Sequence, residues 1–173
     1  FPTRRSSDLN IGGDWVIQKK DGYPTYNFCH IIDDYLMHVT HILRSQEFIS
    51  SVPKFLNLYE ALEIEKPVLA TLPFVMAIDG KKKLSKRDGV KNVLDYHKNG
   101  ILTEALINFL ATIGWNDGTE QEIFSKEELI EKFSLKKVQT SPARFDEARL
   151  IWLNGQWIRR LSLDELYERA KKF

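Results

Sequence analysis

"VTHILRSQEFISSVPKFLNLYEALEIEKPVLATL", residues 39–72, holds strand, helix and strand in quick succession. Residues 39–43 are β-branched and short, which predicts a strand. Ser50-Ser51 and Pro53 open a helix, because proline is tolerated in a first turn, where its missing N–H has no intrahelical partner. That helix continues through Phe55, Leu56, Leu58, Tyr59 and Leu62. "VLATL", 68–72, reads as a second buried strand, closed by Pro73. Strand, helix and strand with connections this short make a βαβ unit, and hence a parallel sheet.

Upstream, residues 15–17 are strand-like, and Asp21-Gly22 with Pro24 mark a turn. Phe28, Ile31, Ile32, Tyr35 and Leu36 follow the i, i+3, i+4, i+7, i+8 spacing, which predicts a helix over 25–37 with Thr25 as its N-cap. Tyr26 and His30 lie one turn apart, off that apolar stripe. Downstream, "FVMAI", 74–78, runs into Asp79-Gly80, a pair suited to a tight hairpin turn with positive φ angles. After residue 90 strand signals stop. Leu106, Phe109, Leu110 and Ile113 form a helical stripe closed by Gly114. Ser125–Glu128 and Ser162–Glu165 are capping-box patterns, each with a flanking apolar pair, Phe124/Leu129 and Leu161/Leu166. Asp146 opens a further helix carrying Leu150, Ile151, Trp152 and Leu153. Trp152 and Trp157 read as packing residues. The expected layout is α/β to Asp88-Gly89 and all-α beyond.

The chain has 173 residues, 43% apolar and 28% charged, with a net charge of +1. That is globular material, and no run reaches the ~18 apolar residues of a membrane span. Cys29 is the only cysteine, which with the lack of a secretory signal favours a reducing, cytoplasmic setting. Residues 1–10 match nothing and read as a processed end or junction; the chain reads as part of something longer.

Against this neutral background, "DGKKKLSKRDG", 79–89, gathers Lys81, Lys82, Lys83, Lys86 and Arg87 on one arm of the expected hairpin. A solvated charge run, a nuclear-localisation-like tract and a phosphate clamp all produce such a cluster. Lys83-Leu-Ser-Lys86 favours the clamp: two lysines three apart bracket a phosphate chain while Leu84 anchors the loop. Ligands of open α/β sheets lie beyond the carboxyl ends of the strands. Arg44 follows the strand 39–43 directly, and its planar fork matches a carboxylate. With Tyr26 and His30 it outlines a pocket for an anionic substrate beside a polyphosphate. His38, His41, Asp33 and Asp34 straddle a helix-to-strand joint without a cysteine pair, so no metal site is expected.

"KLSKR" resembles the Lys-Met-Ser-Lys-Ser signature of class I aminoacyl-tRNA synthetases. The blocks "DGYPTYNF", "DDYLMHVTHILR", "SSVPKFLNLYEAL", "DGKKKLSKRDG", "GILTEALINFLATIGW" and "SPARFDEARLIWLNGQWIR" resemble, in order, the glutamyl-tRNA synthetase family over about residues 11–173. One four-residue motif is weak evidence, whereas six ordered blocks are strong. The resemblance implies an α/β fold: the second half of a Rossmann-like parallel nucleotide-binding fold, 11–89, an all-α helical stem-contact domain, 90–160, and the start of anticodon-binding helices, 161–173. It implies ligation of L-glutamate to tRNA(Glu) through glutamyl-adenylate, with ATP and its Mg²⁺ as substrate, by an enzyme that is a monomer when whole. Lys83 and Lys86 would stabilise the departing pyrophosphate, with Ser85 and Arg87 shaping the loop. Glu47, Phe48 and the backbone of Val75 would line the ATP site. Tyr26 and Arg44 would bind glutamate, Arg44 through the side-chain carboxylate. His30 is grouped with them, where the family often has Asn or an aliphatic residue.

Two departures are visible. Where relatives commonly read Arg-Gly-Glu-Asp, this chain reads Arg44-Ser45-Gln46-Glu47, and an extra lysine precedes the signature. The His-Ile-Gly-His type motif is not in the chain, so the segment alone is expected to be inactive. Glutaminyl charging is the near alternative, which Arg44 argues against because a neutral amide needs no fixed cation. A non-catalytic RNA-binding module is the distant one.

Overall fold

The computed structural model describes residues 14–85 and 92–171. The chain divides into two compact units that meet at Leu72–Pro73. The hairpin after Pro73 pairs with later residues of the second unit.

The first unit is built on the helix–strand–helix–strand order read from 25–72. α1, Tyr26–Leu36, is followed by β1, His41–Ser45, a 3₁₀ turn, Gln46–Ser51, α2, Val52–Ala61, and β2, Val68–Leu72. β1 and β2 are parallel neighbours, with Leu43 opposite Ala70 and Arg44 opposite Thr71. The expected second strand is met residue for residue; the first begins two residues late. Its delay has a local cause. The Val39 N–H is bonded to the Asp34 carbonyl and that of His38 to Tyr35, so both residues close α1 before a strand can start. Residues 15–17 are not a strand either. They lead to a single antiparallel bridge, Gln18 to Pro24, around the turn at Gly22, whose φ is +84°.

Ile31, Phe55, Leu58 and Tyr59 form the core of this unit, with Trp15, Phe28 and Phe48 against it. Only part of the expected apolar stripe of α1 is used. Ile31 is buried, whereas Tyr35 and Leu36 are exposed. The buried face turns toward His30 instead, whose side chain is 10% exposed.

Both helices of this unit end on a non-glycine residue in left-handed conformation, His38 (φ 55°) and Glu63 (φ 54°). At Glu63, bonds from its own N–H to Glu60 and from the Ile64 N–H to Tyr59 complete a Schellman cap, and Ile64 packs on the core. A side chain there carries a steric cost that glycine lacks. We expect Glu63→Gly and His38→Gly each to stabilise by about 0.5 kcal/mol, a net of αL relief against glycine's chain entropy. Urea midpoints check this; a fall in both would refute the assignment.

The second unit opens with β3, Val75–Met76, which forms the outgoing arm of the hairpin. Its turn is wider than Asp79-Gly80 alone suggests. Ala77 and Lys82 pair across a four-residue loop, Gly80 alone has positive φ (+69°), and the Asp79 carboxylate accepts from the Lys81 N–H. β3 pairs in parallel with β4, Ala143–Arg144, so strand structure does not stop after residue 90. Two residues are too few to show a period, and no strand is expected there from sequence.

The helices are α3, Val93–Lys98, α4, Thr103–Ala111, α5, Lys126–Lys132, α6, Glu147–Ile158, and α7, Leu163–Ala170. The capping boxes at Ser125 and Ser162 form as read, and the Asp146 side chain caps α6. A third box, Asn92 with Asp95, starts α3. Its Asn-x-x-Asp spacing was there to be read. Tyr96, Phe109, Leu150 and Leu153 make one core cluster, and Trp115, Phe124 and Leu129 another. Trp152 is about half exposed, not packed.

Candidate functional site

Arg44 is the fourth residue of β1, near the strand's carboxyl end, where the 3₁₀ turn carries the chain away. Its guanidinium lies within 4.8 Å of the Phe48 ring centre, 5.4 Å of Phe55 and 5.7 Å of Tyr26. Nη1 donates to the Tyr26 hydroxyl at 3.0 Å. A guanidinium stacks on aromatic faces and keeps its remaining N–H groups in fixed directions, which suits a planar anion. Tyr26 is 60% exposed and so presents its hydroxyl at the mouth of the site. β1 supplies the cation, α1 the phenol, and the 3₁₀ turn and α2 the aromatic walls.

Arg44 and Phe48 line a pocket of about 20 Å³ together with His30, Phe55, Tyr59 and residues of both strands. His30 Nδ1 is 3.5 Å from Asp34 Oδ2, and its ring stands edge-on to Phe55. Burial and, after it, the charge of Arg44 push the imidazole below its ordinary value of 6.5, against the pull of Asp34. Burial likewise raises the Tyr59 hydroxyl, which stays protonated. His30 Nε2 and the Tyr59 hydroxyl are buried without a hydrogen-bond partner among the described residues. Sequence reading placed Tyr59 only as a helix residue; nothing in the pattern flags its hydroxyl.

The depressed imidazole has a consequence for stability. Above the ordinary 6.5 both folded and unfolded chains hold His30 neutral. Below it the unfolded chain takes a proton that the fold resists, so this contribution is lost as pH falls through 6.5. Urea unfolding between pH 7.5 and 5.5 should show a smaller pH slope for His30→Leu than for the native chain. Equal slopes would exclude His30 as a source.

The basic hairpin arm belongs to the second unit. Leu84 donates to the Val75 carbonyl at 2.9 Å, and Met76 bridges Lys83, so the arm is tied at Lys83 and Leu84. Leu84 is half-buried, as its anchoring role requires, while Lys83 and Ser85 are exposed. The Lys83 ammonium lies 4.7 Å from the Phe74 ring centre, a cation–π contact not foreseen from sequence. Lys86 and Arg87 lie outside the described residues. Glu47 is exposed on the 3₁₀ turn, and Phe48 is half-buried beneath Arg44. Val75 is half-buried, opposite Ala143. Tyr26, Arg44, His30 and Phe48 are thus brought together in the first unit, and Val75, Lys83 and Ser85 in the second.

The family profile "tRNA synthetases class I (E and Q), catalytic domain" matches residues 5–152. The chain belongs to this family. A glutamate–tRNA ligase of Clostridium botulinum (strain Eklund 17B / Type B) is 49% identical over 157 residues, 91% of this chain but 32% of that protein. The crystal structure of the glutamate-tRNA synthetase of Elizabethkingia anophelis matches with a TM-score of 0.84 at 36% identity, covering 92% of this chain and 36% of the other. That of a glutamate tRNA ligase from Elizabethkingia meningosepticum CCUG26117, in complex with its amino acid, matches at 0.83 and 35%, covering 90% and 34%. The chain therefore spans about a third of the length of these class I relatives. Its parallel strands and following helices are part of the Rossmann-like catalytic fold of class I synthetases. Among the described residues, no helix is long and apolar enough to cross a membrane.

Proposed function

We propose that this chain is the part of a glutamate–tRNA ligase that recognises the glutamate side chain and carries the phosphate-clamping loop. The observation that carries the reading is Arg44: one cation at a strand's end, hydrogen-bonded to Tyr26 and stacked on Phe48. A carboxylate is matched by such a fixed fork, whereas the amide of glutamine would leave it unpaired. The matched relatives named as glutamate–tRNA ligases support the same choice.

In the proposed reaction the α-carboxylate of glutamate attacks the α-phosphorus of ATP, which arrives with Mg²⁺. Pyrophosphate leaves, and a hydroxyl at the tRNA 3′ end then takes the acyl group and releases AMP. Lys83 and Lys86 neutralise charge on the departing pyrophosphate; such steps are catalysed mainly by positioning and charge cancellation. Ser85 and Arg87 shape the loop, and Glu47, Phe48 and the Val75 backbone line the ATP site. Residues 11–89 complete the catalytic domain, 90–160 meet the acceptor stem of tRNA(Glu), and 161–173 begin the anticodon-binding part. The whole enzyme works as a monomer in the cytoplasm.

The test is glutamate-dependent ATP–pyrophosphate exchange, with tRNA present, in a chimera where this segment replaces the matching third of the Clostridium botulinum enzyme. The chimera should exchange with glutamate and not with glutamine. Lys83→Ala should lower the rate by about 100-fold, the smaller end of what one lost transition-state donor costs. Exchange that prefers glutamine, or that ignores the Lys83 substitution, would refute the reading.

A further inference from the structure

We propose that Phe74 is a positioning residue for the phosphate-clamping loop: its ring holds the Lys83 ammonium in one place without cancelling its charge. The inference rests on the reading of Lys83 given above. It starts from a contact that the reading leaves unused, the Lys83 ammonium 4.7 Å from the Phe74 ring centre.

The register of the hairpin makes this contact. Met76 and Lys83 form an antiparallel bridge. The flanking bonds run from the Ala77 N–H to the Lys82 carbonyl and from the Leu84 N–H to the Val75 carbonyl, so Met76 and Lys83 are a non-hydrogen-bonded pair. Side chains of such a pair share one face and stand at their closest. Phe74, two residues before Met76, is the diagonal neighbour of Lys83, a position within reach of aromatic and long side chains. Phe74 is half-buried and follows Pro73, whose φ is fixed, whereas Lys83 is exposed. The ring is therefore the firmer partner and the ammonium the one that is held.

The bridge fixes the backbone of Lys83, but a flexible four-carbon stem separates that backbone from the charge. Confining the stem in advance removes an entropy cost that otherwise falls on the transition state. A carboxylate would confine it too, but would cancel the charge that the departing pyrophosphate needs. A ring face attracts the cation through its quadrupole and leaves the charge in place. An aliphatic side chain at 74 offers no such attraction.

Two measurements test the proposal. In ¹H–¹³C spectra of the 173-residue chain, the Lys83 ε-methylene, assigned by its loss in Lys83→Ala, should be shifted upfield by the ring. The shift should vanish in Phe74→Leu and persist in Phe74→Tyr; an unshifted resonance in the native chain would overturn the proposal. The second is ATP–pyrophosphate exchange in the chimeric ligase. Phe74→Leu should lower kcat about fourfold, the size of an exposed cation–π contact, and leave the KM for ATP within about twofold. Phe74→Tyr should stay within about twofold of native in both. In a Lys83→Ala background Phe74→Leu should cost almost nothing more, because the group it positions is gone. An unchanged or raised kcat in Phe74→Leu, or the same fourfold loss without Lys83, would overturn the proposal while the clamp reading stands. If Lys83→Ala itself leaves exchange unchanged, the clamp reading falls and the positioning role falls with it.

Discussion

Arg44→Ala is expected to raise the KM for glutamate by about 1,000-fold in the chimeric ligase while leaving that for ATP within about threefold. The loss, about 4 kcal/mol, is that of a desolvated ion pair broken on one side, which leaves the substrate carboxylate buried without its partner. Arg44→Lys should recover only part of it. An ammonium on a flexible stem lacks the fork that two carboxylate oxygens require, and it stacks less readily on Phe48 and Tyr26. Tyr26→Phe removes the hydroxyl that holds Nη1 at 3.0 Å and should give a milder, roughly tenfold rise. Circular dichroism separates these effects from unfolding. A glutamate KM within tenfold of native for Arg44→Ala would remove Arg44 from substrate recognition and, with it, the argument against glutamine.

The largest stability effect is expected far from that site, at Asn108. This residue of α4 is fully buried. Its Nδ2 donates to the Glu122 carbonyl at 2.9 Å, and its Oδ1 accepts from the Phe124 N–H at 3.1 Å and from Trp157 Nε1 at 3.2 Å. One amide thus ties α4, the loop before α5, and α6. Asn108→Leu is close in volume but strands two donors and one acceptor in a dry interior, each costing about 1–3 kcal/mol. The costs are not additive, and a net loss of about 4 kcal/mol is expected. Tryptophan fluorescence follows it, since Trp115, Trp152 and Trp157 all belong to the second unit. A loss below about 1 kcal/mol would mean that water or rearrangement replaces the amide.

The sequence was legible where one local rule acts alone. β2 lies between Pro67 and Pro73 and appears where its apolar run stands. The capping boxes at Ser125 and Ser162 form because hydroxyl and carboxylate meet across one turn whatever surrounds them. β1 was displaced because residue 39 serves two purposes, β-branched by type but used to close α1. The turn at Asp79-Gly80 widened because Asp79 spends its side chain on the Lys81 amide. β4 was invisible, since it exists only through its partner β3. The same logic holds for the site. Arg44 and Tyr26 were legible because charge and phenol are rare at such places. Tyr59 was read only as a helix residue and His30 only as one of the glutamate-binding set, because neither pattern tells which polar atom is left over once everything else is bonded. That remainder is a property of three dimensions.

The pairing of β3 with β4 also determines what the lysine arm can do. Val75 and Met76 lie opposite Ala143 and Arg144, the Phe145 N–H is bonded to the Met76 carbonyl at 2.9 Å, and a β-carbon on Gly80 would press on the Arg144 guanidinium at 3.0 Å. The arm carrying Lys83 is therefore stitched to the chain that leads straight into α6. A displacement of α6 would therefore pull on the bonds from Phe145 to Met76 and from Leu84 to Val75 that hold the arm at Lys83.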